Sequence, residues 1–258
     1  MKRFLALASS CALIGALFGA SAPSPASAWD LEAHTFEFIG QFGDCGLNYP
    51  PGSNIVDAIW LDGIGLPDDG GGNTTNTINP TNPGNKLDPH QGLLLSKNGP
   101  TNDCSAAGAE ITGVAGFRVD PGFYLGFDYR NGGHCGGGSP RFNVSWHDNN
   151  GTPFFSFVGN CYTPIAARSQ AVQDPLQWTT VRWTLTDSAH AQSGPCVPAN
   201  NLPAPCATVA TCPCYLDAIT LIYDEGTDTT SADEVPDGVG ASFVDNININ
   251  GTIIRAHP

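Results

Sequence analysis

Apolar and polar residues alternate with a period of two along much of this chain, in short runs cut apart by Gly, Pro, Asn and Asp. That pattern belongs to half-buried strands, whose successive side chains point to opposite faces, and not to helices. It is clearest over residues 123–129, 141–147, 154–158, 179–185, 216–223 and 241–249, with earlier runs at 35–39 and 55–61. Within 141–147, Phe142, Val144 and Trp146 share one face, while Arg141, Asn143, Ser145 and His147 share the other. Val181, Trp183 and Leu185 likewise point inward and leave Trp178, Thr180 and Arg182 together on the opposite side. Gly numbers 31 and Pro 21, and only 13% of residues are charged, so turns are frequent and strong helix formers scarce. The expected fold is all-β: a single antiparallel β-sandwich, jelly-roll-like, with long loops and disulfides.

Residues 1–28 read as a secretory signal peptide. Lys2 and Arg3 precede an apolar stretch over 4–20, and Ala26-Ser27-Ala28 supplies the small-x-small pattern for cleavage before Trp29. The one cysteine of the leader, Cys11, leaves with it. Eight remain, Cys45, Cys104, Cys135, Cys161, Cys196, Cys206, Cys212 and Cys214, an even number that fits a disulfide-stapled protein in an oxidising space. Their pairing is open, and no pair has the two-residue gap of zinc knuckles. A secreted or periplasmic location follows as an expectation, with residues 29–258 forming one domain. Two stretches break the alternation: 62–90, rich in Gly, Asn, Thr and Pro, reads as a long exposed loop, and 188–213, rich in Pro, Ala and Cys, as a stapled excursion.

Without the leader the chain keeps 8 basic residues against 24 acidic ones, a balance of −16. Like charge then opposes nucleic acid and anionic membrane surfaces as partners. No later apolar run approaches the roughly 20 residues of a spanning helix. Calcium is the more natural companion of such a chain. The run from Asp224 to Asp237 places six carboxylates within fourteen residues, which fits either a solvated turn or a hard cation, though not the EF-hand spacing. Asp245 alternates with Phe243, Ile247 and Ile249, so a carboxylate falls on the apolar side of a strand. Such a group needs a partner or a metal, unless a bulge turns it outward.

The richest segment runs from Gly126 to His147, where two strands flank a glycine-rich connection holding His134 and Cys135. A hairpin is expected, presenting Asp128, Arg130, Arg141, Asn143, Ser145 and His147. Forked guanidiniums beside amides and hydroxyls suit a carboxylate or a sugar, and cross-strand pairing of Asp128 with Arg130 or Arg141 is the plainer alternative. The glycine run lacks the Gly-Lys-Ser/Thr ending of a phosphate loop. His90, His134, His147 and His190 show no metal-ligand spacing on a regular element. There is no Gly-x-Ser-x-Gly elbow, and acid pairs for glycoside hydrolysis are not identifiable by motif. Trp178 beside Arg182 is the leading candidate for a sugar-stacking platform, with core packing the competing role, followed by Trp60 and Tyr162. Asn73, Asn143, Asn150 and Asn250 head Asn-x-Ser/Thr sequons.

Residues 242–251, Ser-Phe-Val-Asp-Asn-Ile-Asn-Ile-Asn-Gly, resemble the closing strand of galactose-binding-like jelly rolls found among carbohydrate-binding modules. The resemblance implies a structural calcium shared by Asp245 and an acidic residue of the first strand, here Glu37. The 126–146 block also resembles a segment of secreted bacterial proteins that brings no function with it. The leading expectation is a secreted, non-catalytic binding or surface-interaction protein for a glycan or cell-surface polymer, using Asp128, Arg130, Arg141, His147, Trp178 and Arg182 on one sheet face. The alternatives are a polysaccharide-active hydrolase or lyase working through His134 or His147, and a structural envelope or matrix protein.

Overall fold

The computed structural model describes residues 31–40, 53–66, 91–119, 122–159, 161, 168–185, 214–229 and 240–254. They form thirteen strands: β1 (Glu32–Phe38), β2 (Val56–Leu61), β3 (Gly92–Lys97), β4 (Ala106–Thr112), β5 (Arg118–Val119), β6 (Tyr124–Arg130), β7 (Arg141–Asp148), β8 (Pro153–Val158), β9 (Arg168–Gln170), β10 (Trp178–Thr184), β11 (Cys214–Tyr223), β12 (Ala241–Ile249) and β13 (Thr252–Ile254). No helix occurs among the described residues, and none of them belongs to a helix long and apolar enough to cross a membrane.

Two antiparallel sheets arise. One follows the order β1-β4-β11-β7-β8 with β5 beside β11; the other follows β2-β3-β12-β6-β10-β9 with β13 beside β12. The last two long strands complete the sheets, β11 inserting between β4 and β7 and β12 between β3 and β6. Consecutive strands often change sheet, so neighbours within a sheet are frequently distant in sequence.

The alternation explains the layering. Phe142, Val144 and Trp146 of β7 and Val181 and Trp183 of β10 are all buried, and they meet in one sandwich-like core between the sheets. Phe127 of the second sheet lies 5.9 Å from Phe142 of the first, ring centre to ring centre, and 5.4 Å from Trp183. Each fully buried large side chain of this kind contributes about 1.5–3 kcal/mol from apolar burial. Cys135–Cys161 is a disulfide, and Cys104 and Cys214 are also disulfide-bonded. Cys45, Cys196, Cys206 and Cys212, the leader, and the segments 67–90 and 186–213 lie outside the described residues.

The 126–147 segment corrects the expected hairpin. Both neighbours of β6 are taken, by β12 and β10, so its glycine-rich exit carries the chain across to the other sheet, where β7 pairs with β11 and β8. Asp128 and Arg130 therefore stand on the outer face of one sheet, and Arg141 and His147 on the outer face of the other.

Candidate binding site

The split of β6 from β7 divides the six expected ligand residues into two groups. Arg141 and His147 belong to the first sheet. Arg141 forms a forked pair with Asp224, 2.6 and 2.7 Å, donates to Gly138 O at 2.6 Å, and stacks 5.0 Å from the centre of the Phe157 ring. Beside it the glycine run closes on Glu225: Gly138 N and Ser139 N donate to its carboxylate at 2.8 and 3.0 Å, and His134 Nε2 lies 2.7 Å away. A Cβ at Gly136 or Gly138 would stand 2.3 or 2.7 Å from the Glu225 carboxylate oxygens, so a side chain at either position would force that carboxylate to shift. The start of the acidic run is thus internal scaffolding: Asp224 and Glu225 hold the crossover, and Asp228 accepts from Thr101 N and Oγ1 at 2.8 and 2.7 Å. Asp233, Glu234 and Asp237 lie outside the described residues.

His147 and His134 do not converge. His147 is half-exposed, stacks on Tyr215 with ring centres 5.5 Å apart, and places Nδ1 2.7 Å from Asp217 Oδ1. His134 is fully buried against Tyr223 and Glu225. His90, His190, Tyr162 and Asn73 lie outside the described residues; Trp60 packs against the core and donates Nε1 to Ala33 O at 3.3 Å.

The second group lies together. In the pairing of β10 with β6, Trp178 stands opposite Arg130, Thr180 opposite Asp128, and Arg182 opposite Gly126. Arg182 lies across Gly126, where a Cβ would come 2.4 Å from its Cδ, and donates to the carbonyls of Phe127 and Val181 at 2.9 and 2.8 Å. Burial pushes the Arg182 guanidinium downward, and Asp128 and Tyr124 oppose that shift. Its Nη1 group is committed to the sheet, and Nη2 lies 3.7 Å from Asp128 Oδ1. Asp128 is 3% exposed and accepts from Thr180 Oγ1 at 2.5 Å and Asn246 Nδ2 at 2.8 Å.

Trp178 departs from the expected platform. It is 4% exposed and packs with Leu66, Ala171 and Phe243 in a small second core outside the sheet. It borders a cleft but is almost wholly covered, so it presents no open stacking surface.

β12 explains how that cleft is held. A bulge between Asp245 and Asn248 breaks the pairing with β6, and Asn246 adopts φ 47°, a left-handed conformation that Asn tolerates better than most residues. The extra residue reverses the phase of the alternation: Phe243 and Asp245 face outward, whereas Ile247 and Ile249 face the core. The bulge alternative for Asp245 therefore holds. The residue remains buried, at 2% exposure, because the chain after β2 covers it: Leu66 N donates to Oδ2 at 2.6 Å and Asn246 N to Oδ1 at 2.6 Å. Glu37, on β1 of the other sheet, accepts from Ala58 N at 3.2 Å. The fold thus places the two expected calcium ligands on different sheets, each on a backbone amide. No cluster of three or more His, Cys, Asp or Glu suited to a metal occurs among the described residues.

Asp245 and Asn246 fasten the two walls of a cleft of about 320 Å³. One wall is Gly63, Ile64 and Gly65, tied down through Leu66; the other carries Gln173, Asp174 and Gln177, above Arg130 and Trp178. Asp174 shapes its own wall by accepting from Leu176 N and Gln177 N at 3.3 and 3.2 Å. The two glutamines face opposite demands. Gln173 Oε1 accepts from Asn246 Nδ2 at 3.1 Å, which leaves its N–H groups to donate; Gln177 Nε2 donates to Asp174 Oδ2 at 3.0 Å, which leaves its oxygen to accept. Gln173, Asp174, Gln177 and the 63–65 turn carry no periodic signal, so sequence reading misses them; the visible traces were the Asp174-Pro175 turn beside Trp178 and the phase break at Asn246.

Comparison with known proteins returns no match, neither to a family model nor to a curated protein nor to a solved structure.

Proposed function

We propose that this chain is an exported, non-catalytic binding protein that takes a saccharide in the cleft between the 63–65 turn and the wall of Gln173, Asp174 and Gln177. The observation that carries the reading is the pairing of a donor amide at Gln173 with an acceptor amide at Gln177 in one cleft. Sugar hydroxyls both donate and accept, so a lining that offers both matches them. The volume lies at the lower end of the range for small-molecule clefts, enough for one or two sugar residues. The bulge and the Asp128–Asn246–Gln173 chain fix these groups before a ligand arrives, which lowers the ordering cost of binding. The jelly-roll resemblance of residues 242–251 points the same way, and the two-sheet fold is compatible with it. Titration calorimetry against a panel of monosaccharides and short oligosaccharides tests the proposal. Saturable binding weakened about tenfold or more by Gln173→Ala or Gln177→Ala is expected, and no saturable binding across the panel overturns it.

A further inference from the structure

We infer that the saccharide taken by this cleft carries a single carboxylate, as a hexuronate does, and that Arg130 is the residue that selects it; the inference rests on the saccharide reading above. The other described cations are occupied. Lys97 is buried against Asp103 and main-chain carbonyls, Arg141 is forked onto Asp224, and Arg182 bonds two carbonyls beside Asp128. Arg168 donates to Cys161 O and to the Tyr129 hydroxyl, and Arg118 also has a partner. Arg130 differs. Among the described residues its side chain has no hydrogen bond and no ion pair; Arg130 lines the cleft, and its guanidinium rests 6.0 Å from the centre of the Phe243 ring. Among the described residues no acceptor takes up its five N–H donors, in a chain of formal net charge −14 where carboxylates outnumber cations.

Charge and shape together narrow the class of anion. One guanidinium balances one negative charge, and the Asp174 carboxylate on the same lining repels a second. A phosphomonoester, which carries between one and two charges at neutral pH, is therefore disfavoured. A planar carboxylate matches the fork with two parallel hydrogen bonds, an arrangement that a tetrahedral sulfate ester reproduces only with a third oxygen left over. The donor amide of Gln173 and the acceptor oxygen of Gln177 then serve the ring hydroxyls.

Calorimetry of the intact protein with galacturonate and glucuronate, against galactose and glucose, tests the assignment. At least one uronate is expected to bind tenfold or more tighter than its neutral counterpart, with an advantage that shrinks as salt is added. Arg130→Gln, at an exposed position, should erase that advantage, and Arg130→Lys should restore only part of it. Equal affinity for acid and neutral sugars overturns the carboxylate assignment and leaves the saccharide reading standing. A hexose 6-sulfate binding as tightly as the uronate also overturns the assignment, and absence of binding by every probe overturns both readings.

Discussion

Lys97 Nζ lies 3.2 Å from Asp103 Oδ1, and the two side chains are 0% and 1% exposed. The lysine also donates to the carbonyls of Asp103 and Asp224 at 3.0 and 2.8 Å, so one buried ammonium joins the end of β3, the turn after it and the chain leaving β11. Burying both charges costs several kcal/mol per ion, which mutual attraction and the lysine's hydrogen bonds offset. Lys97→Met removes the cation and leaves Asp103 buried without it. A loss of about 3–5 kcal/mol is expected, read as a shift of the urea midpoint at unchanged slope. Lys97→Met combined with Asp103→Leu should recover part of that loss, because no charge is then left behind.

Gly65 sits where a side chain has no room. A Cβ there would stand 2.2 Å from Gln91 O and 2.5 Å from Asp245 Oδ2, the atom that accepts Leu66 N. Gly65→Ala must displace one wall of the cleft and strip Asp245 of a donor. Destabilisation of about 1–3 kcal/mol is expected from overpacking, with a far-ultraviolet spectrum still dominated by strand. Ligand affinity should fall more than tenfold, whereas Gly63→Ala, at an open position whose cost is its positive φ alone, should lower stability without the same loss of binding.

The Cys135–Cys161 bridge spans 26 residues and ties the glycine crossover to the chain following β8. Closing a loop of that length in the unfolded chain is worth about 3.5 kcal/mol on the chain-entropy model. Cys135→Ser with Cys161→Ser should lower stability by about 2–4 kcal/mol. Thiol titration of the native wild-type protein should find no reactive sulfhydryl at these two positions; free thiols there would contradict the bridge.

Strand positions were legible because burial on one face imposes a period of two, and the long runs expected at 141–147, 179–185 and 241–249 coincide with β7, β10 and β12. β3 and β4 escaped notice for a physical reason. Residues 92–97, Gly-Leu-Leu-Leu-Ser-Lys, are nearly all buried on both faces, and 106–112 rely on Ala and Gly that carry little hydropathic contrast. The site was less legible still. Which sheet a strand joins depends on long-range pairing, so Asp128 and Arg141 looked like neighbours although the crossover sends them to different sheets. At Asp245 a single bulged residue inverted the phase, a change that alternation alone signals only as an anomaly.

Two exposed carboxylates set the acid behaviour of the loops. Thr101 Oγ1 and N hold the Asp228 carboxyl below the ordinary Asp value of 3.8, and the N–H groups of Thr152 and Asn150 do the same for Asp148. A carboxylate depressed by folding contributes stability that is present above its unfolded value and is lost as pH falls through the folded one, so both contributions are in place above about pH 4 and disappear only below it. Thr101→Val removes the largest cause at Asp228, and that carboxyl should rise toward its ordinary value. Thr101→Ser keeps the hydroxyl and should keep the low value. Asp148, held by a different turn, should titrate identically in all three proteins. Carbon-detected magnetic resonance of the side-chain carboxyls through pH 2–6 reads each group separately, and an Asp228 that already titrates at the ordinary value in the wild-type protein would show that the Thr101 hydrogen bonds do not form in solution.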